Sequence, residues 1–320
     1  MKIILALLLT SVSLIFGQQH QLEQWDQNKD GKLSITSNLS YATNDNPRQA
    51  LDLYLPKKPT TGQPLPVIAF IHGGAWRAGD KRSGLRHLRP FIASGNYAGM
   101  SIGYRLTNEA QWPSQIHDCK AAIRWIRANA QKYNLNPDKI AVWGTSAGGH
   151  LVAMLGTTGE VKELEGTIGT HLNHSSRVNA VVNFFGPAEI LTMGDHPSSI
   201  DHNAPGSPES LLIGGPILEN QDKARSASPI THITKDAPPT LNIHGTADAL
   251  VPYQQSVSFN QKLVEAGVSS NLITITDGGH GNFGNAIKQV NRSVTNFLSK
   301  HLRSDQSVTI KDQTLQAKTP

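Results

Sequence analysis

Apolar runs too continuous for half-exposed strands alternate along this chain with segments of helical periodicity, and that alternation limits the fold more than any other feature. The runs lie at Leu51–Leu55, Val67–Ile71, Ala98–Tyr104, Ile140–Trp143, Ala180–Phe185, Thr240–Ile243 and Asn271–Thr276. A strand covered on both faces needs no apolar–polar alternation, so such runs belong inside a sheet with a layer on each side. The spacing predicts a helix over Ser114–Tyr133, where Ile116, Cys119, Ile123, Ile126 and Ala130 recur at intervals of three and four. A second is predicted over Asn285–Leu302, with Ile287, Val290, Val294 and Phe297 on one stripe. Strands and helices in alternation build a mostly parallel central sheet flanked by helices on both faces. The fold class is therefore α/β, in one domain over residues 41–302. Residues 156–178 and 187–238 break the rhythm and are too long for plain connections. Cap-like insertions of this kind are expected over the carboxyl ends of the strands, where they would shape a substrate site.

The flanks read differently. Lys2 precedes an apolar run from Ile3 to Phe16, followed by Gly17 and polar Gln18. A membrane span needs about 18–20 apolar residues, so residues 1–17 read as a signal peptide and the protein as exported, periplasmic or secreted. Ile15 stands where cleavage prefers a small residue, which leaves an uncleaved anchor as the alternative. No membrane association is expected once the signal is removed. Residues 18–40 form a polar leader, and the polar tail 303–320 is expected to fray. Cys119 is the one cysteine of 320 residues, so an exported chain must rely on its core without an internal disulfide. Its place on an apolar helical face predicts a buried thiol. The formal charge of +5 comes from scattered Lys and Arg with no basic run, so no nucleic-acid partner is expected.

Asp26 to Ser34 (DQNKDGKLS) matches the opening of an EF-hand calcium loop, with oxygen ligands at positions one, three and five and Gly31 at six. Position twelve, normally a bidentate Glu, is Ser37, and no second loop pairs with it. The stretch is read as a degenerate remnant, with a weak calcium site as the alternative. No metal site is expected elsewhere: there is no H-E-x-x-H and no His-x-Asp pairing on neighbouring strands. No G-x-G-x-x-G opens a first strand–helix unit, so no cofactor is expected.

The chemistry gathers at strand ends. Gly144-Thr145-Ser146-Ala147-Gly148 is a G-x-S-x-G elbow between an apolar strand and a predicted helix over Ala147–Leu155, which places Ser146 on a sharp turn beside a helix N-terminus. His72-Gly73-Gly74-Ala75-Trp76 follows the strand Val67–Ile71. Backbone N–H groups of a Gly-rich turn approach a substrate oxygen closely, so Gly73, Gly74 and Ala147 are the expected oxyanion hole, and Trp76 a pocket wall. The acid and base must follow the serine in chain order. Asp248 lies just past the strand Thr240–Ile243, and His280 in Gly278-Gly279-His280-Gly281 past the strand Asn271–Thr276. Ser146, Asp248 and His280 are thus the expected triad, with Asp277 the rival acid. His72, His196, His202 and His244 are read as bystanders.

With these residues assembled, the chain resembles the α/β-hydrolase superfamily, over roughly residues 38–302. It is most similar to the bacterial feruloyl and acetyl esterase-like branch near the hormone-sensitive-lipase-type carboxylesterases. The carrying segments are LDLYLP at 51–56, HGGAWRAGDK at 72–81, DCKAAIRWIRA at 118–128, GTSAGGH at 144–150, HGTAD at 244–248 and GHG at 279–281. The resemblance implies an α/β-hydrolase fold and a serine esterase. Its expected partner is a small-molecule or polysaccharide-linked ester with a short-chain or aromatic (feruloyl or acetyl) acyl group. A kynurenine formamidase-like amidohydrolase and a non-catalytic secreted binding module are the alternatives. Ala75 departs from the lipase-type pattern, which has a third Gly there, and Ala249 stands where Pro often follows the acid.

Overall fold

The seven apolar runs all fold as strands of one sheet, in a computed structural model that describes residues 28–159 and 161–318. The strands are β1 (Leu33–Ser40), β2 (Ala50–Pro56), β3 (Leu65–Ile71), β4 (Ala98–Ile102), β5 (Leu135–Thr145), β6 (Ala180–Phe184), β7 (Thr240–Gly245), β8 (Ser270–Thr276) and β9 (Gln313–Gln316). Their order across the sheet is β1-β2-β4-β3-β5-β6-β7-β8-β9. β1 pairs antiparallel with β2 and β2 antiparallel with β4, while every later pairing is parallel.

Successive side chains of a strand point to opposite faces, and both faces here are covered. In β3, Val67, Ala69 and Ile71 enter one core, which they share with Ile116, Cys119 and Ile123 of α2 (Ser114–Ala128) and Leu151 and Val152 of α4 (Ala147–Thr157). Ile68 and Phe70 enter the other, with Leu85, Leu88 and Ile92 of α1 (Gly84–Ala93) and Val290, Val294 and Phe297 of α8 (Ile287–Leu302). α7 (Gln254–Glu265) adds Phe259 and Leu263, packed against Ala153 and Val268. Burying each such side chain stabilises the fold by about 1.5–3 kcal/mol, which is how the core holds without a disulfide. Cys119 is fully buried, and burial pushes its thiol well above the ordinary range.

Four expectations are corrected. The last eight residues of the expected polar leader 18–40, Leu33–Ser40, form β1, an edge strand whose register shifts between Thr36 and Leu39. The tail, expected to fray, returns to the sheet as β9 beside β8. An edge strand has one paired neighbour and much solvent contact, so neither segment needs an apolar pattern. The helix predicted over 114–133 breaks at Asn129, leaving α2 and a single turn, α3 (Ala130–Tyr133), which ends at left-handed Asn134. The insertion 156–178 packs along α2, where Glu165 pairs with Lys120 and Arg124, and among the described residues none of it lines the pocket at Ser146. The signal-peptide reading and the first part of the leader, Asp26 included, lie outside the described residues. No helix among the described residues is long and apolar enough to cross a membrane.

Candidate active site

The elbow forms because two glycines let backbones meet. A Cβ on Gly144 would lie 2.1 Å from the Gly148 carbonyl oxygen, and one on Gly148 would lie 2.1 Å from that of Ile71. No side chain fits at either position, so β5 turns sharply into α4 and leaves Ser146 between them at φ 55°, ψ −123°. The Ser146 N–H is taken by the Phe184 carbonyl at 2.8 Å, which anchors the turn to β6. Strain of this kind persists only where the surroundings over-determine it.

The turn after β3 closes over the elbow. Gly73 sits so tightly that a Cβ there would be 2.7 Å from the Thr145 oxygen and 3.2 Å from the Ser146 Cβ. Ala75 and Trp76, at φ 54° and 56°, carry the left-handed bend. Among the described residues no hydrogen bond occupies the N–H of Gly73, Gly74 or Ala147. His72 shapes the turn from beneath: its Nδ1–H donates to the Gly73 carbonyl at 2.8 Å, and its ring stacks on Tyr104. Burial lowers its pKa to about 4, so it is neutral.

Asp248 and His280 reach the same edge from the ends of β7 and β8. Asp248 Oδ2 accepts from His280 Nδ1 at 2.7 Å. Its Oδ1 accepts the N–H groups of Leu250 at 2.8 Å and Val251 at 3.0 Å. Burial pushes this carboxyl up, but hydrogen bonds from His244, His280 and the Val251 N–H outweigh it and hold Asp248 well below the usual carboxylate range. An ionised Asp248 fixes the proton on His280 Nδ1 and leaves Nε2 as a base. Asp277 is exposed, and its N–H is bound by Thr246 Oγ1. Ser146, Ala147, His280 and Trp76 line one small pocket of about 70 Å³. Ser146 and His280 face it without a direct hydrogen bond between them in the described contacts, a gap that substrate binding commonly closes.

Sequence reasoning missed two groups. His244, read as a turn residue, gives Asp248 Oδ2 a second bond from Nε2 at 3.2 Å, while its Nδ1 accepts from Ser256 Oγ at 2.8 Å. Its only sequence trace is the spacing of four to Asp248 in HGTAD. His202 and Glu209 of the 187–238 insertion also line the pocket, with Pro208 and Ile200. Nothing periodic in that segment could have singled them out. Trp76 is 1% exposed, and its Nε1 donates to His150 Nδ1 at 3.1 Å. His150 Nε2–H in turn donates to the Ala227 carbonyl at 2.6 Å, which ties the glycine turn to the cap. Beyond His280 lies a larger pocket of about 600 Å³, walled by Phe91, Trp143, Phe184, Phe185 and Phe283 with Arg86 at its border.

In the calcium-loop-like stretch, Asn28 Oδ1 and Nδ2 are bonded to the Leu33 backbone, and Asp30 pairs with Arg89 at 2.5 Å. The exit is strand β1 and not a helix. Among the described residues no three His, Cys, Asp or Glu side chains are grouped to hold a metal ion.

The sheet order, the elbow and the paired loops that carry Asp248 and His280 define an α/β-hydrolase. The chain belongs to the BD-FAE family, whose model matches residues 51–263. A model described as TAP-like protein matches residues 220–308. Esterase LipC of Mycobacterium tuberculosis is 33% identical over 240 residues, 74% of this chain and 58% of that protein. LipM of the same organism, a probable carboxylic ester hydrolase, is 34% identical over 62% of this chain and 44% of its own length. The chain thus spans about half the length of these curated relatives. Among solved structures, a truncated carbohydrate esterase from gut microbiota superposes with TM-score 0.77 at 35% identity, over 84% of this chain and 96% of that one. Thermogutta terrifontis esterase 2 phosphonylated by sarin superposes with TM-score 0.68 at 28% identity, over 83% of this chain and 95% of that one.

Proposed function

We propose that the protein is an exported carboxylic ester hydrolase working through an acyl-Ser146 intermediate on short acyl esters, including esters carried on carbohydrate. The observation that carries this reading is the 2.7 Å bond from His280 Nδ1 to a buried, ionised Asp248, with Ser146 and His280 lining one pocket. Ser146 Oγ attacks the ester carbonyl as His280 Nε2 takes its proton. The N–H groups of Gly73, Gly74 and Ala147 receive the negative oxygen, each contributing about 3–4 kcal/mol in sites of this kind. The intermediate collapses, the alcohol leaves with the proton from His280, and acyl-Ser146 remains. Water then gives a proton to His280 and its oxygen to the acyl carbon, releasing the acid and restoring Ser146.

A pocket of about 70 Å³ beside Ser146 and His280 holds only the few heavy atoms around the scissile bond, acyl and alcohol sides together, which favours a short acyl group such as acetyl. The aromatic-walled space beyond His280 favours a second reading, in which a feruloyl-type ring is accommodated there. The gut carbohydrate esterase supports a sugar-borne ester, and the run Ile3–Phe16 supports export. The test is a panel of p-nitrophenyl esters, methyl ferulate, acetylated xylan and N-formylkynurenine, run beside Ser146→Ala. Ester hydrolysis lost in Ser146→Ala with an unchanged far-ultraviolet circular dichroism spectrum is expected. Preference for the formamide would move the protein to the amidohydrolases, and inactivity on all four would leave a binding module.

A further inference from the structure

A carboxylate buried in the lining of a mostly apolar pocket needs a reason to be there. Glu209 is 2% exposed and lines the Ser146 pocket beside Ala75, Trp76, Ile200, Leu250 and Val251. Taking a carboxylate out of water costs several kcal/mol unless both oxygens find donors. Oε2 has one: His202 Nδ1 donates to it at 2.9 Å. Oε1 takes no hydrogen bond among the described residues. The pair is held firmly, because His202 Nε2 bonds Ser198 Oγ at 3.0 Å. Ser198 Oγ in turn donates to the Ala249 carbonyl at 3.1 Å, in the loop that carries the triad acid. Glu209 also follows Ser207, whose hydroxyl caps the Ser210 N–H at 3.1 Å and fixes the first turn of α5 (Pro208–Ile213).

We infer that Glu209, positioned by His202, accepts a hydrogen bond from a hydroxyl on the alcohol portion of the substrate and so selects partly acylated polyhydroxy compounds over plain esters. The inference rests on the ester-hydrolase reading above. The alcohol side is the relevant one because the departing alcohol takes its proton from His280, and His280 and Glu209 line the same pocket. A plain alkyl ester would leave Oε1 desolvated and unpaired, whereas a neighbouring hydroxyl fills it. A site built around a hydroxyl discriminates strongly against the analogue that lacks it.

The experiment compares kcat/KM for cyclohexyl acetate and for the monoacetate of cyclohexane-1,2-diol, which share ring and leaving-group class and differ by one hydroxyl. It uses wild type, Glu209→Gln and Glu209→Ala. Wild type is expected to prefer the diol ester by about 10- to 100-fold, the range for a bond to a charged acceptor. Glu209→Ala should erase the preference, lowering kcat/KM for the diol monoacetate about 10- to 100-fold more than for cyclohexyl acetate. Glu209→Gln, which keeps one acceptor and the packing, should retain part of it with an unchanged unfolding midpoint. Equal loss on both esters, or no preference in wild type, overturns the role of Glu209 and leaves the esterase standing. Absence of any Ser146-dependent turnover on either ester removes the esterase reading and this inference together.

Discussion

At the scale of single residues, Asp248 is held by more than its bond to His280. Four hydrogen bonds converge on its carboxylate, from His280, His244 and the Leu250 and Val251 N–H groups. The His280 bond sets the tautomer, and the other three hold the carboxylate still. Asp248→Asn should therefore lower kcat on the order of 10⁴-fold by favouring the wrong tautomer. His244→Ala removes one of four bonds and should cost roughly 10- to 100-fold, with His280 still correctly protonated. Steady-state kinetics on both variants decides the ranking, and equal losses would contradict it. The strand-end places of Ser146, Asp248 and His280 were legible because an elbow and two loops mark them in the chain. His244 was not, since its contact depends on how the loop after β7 curls back, which no periodicity records. Glu209 and His202 fall in the cap, where short turns succeed one another without a repeating apolar face.

Elements are joined here by buried polar pairs as well as apolar faces. Asp118 of α2 is fully buried and accepts from Arg105 Nε at 2.9 Å and Arg105 Nη2 at 2.8 Å, and from Gln49 Nε2 at 2.6 Å. One carboxylate thus pins the loops after β4 and before β2 to the helix, which gives DCKAAIRWIRA a structural purpose. Asp118→Ala strips the half-buried Arg105 guanidinium of its two bonds, and losing hydrogen bonds to a charged group costs about 1.5–3 kcal/mol. Urea unfolding of Asp118→Ala should show that loss, and a loss below about 1 kcal/mol would contradict the role. The seven inner strands were readable because burial on both faces demands continuous apolar sequence. The edge strands β1 and β9 were not, because Thr36, Asn38, Thr314 and Gln316 face water as a loop would. The break at Asn129 was hidden by an apolar stripe that continues across it.

In the whole molecule, the cap and the body share the site. Trp76 and His150 fasten the glycine turn to Ala227, Ser198 and Ser199 fasten the cap to Ala249, and Gln255 of α7 accepts the N–H groups of Ala188 and Glu189. These ties fix Glu209 in the lining of the pocket that Ser146 and His280 share. The central claim is that Ser146 is the nucleophile of this assembled site. Its most direct measurement is covalent labelling with diethyl p-nitrophenyl phosphate, followed by intact mass and peptide mapping alongside residual esterase activity. The account predicts a single adduct on Ser146, activity lost in step with labelling, and no adduct on Ser146→Ala. Activity lost with the adduct on another residue, or full turnover by protein labelled at Ser146, would contradict it.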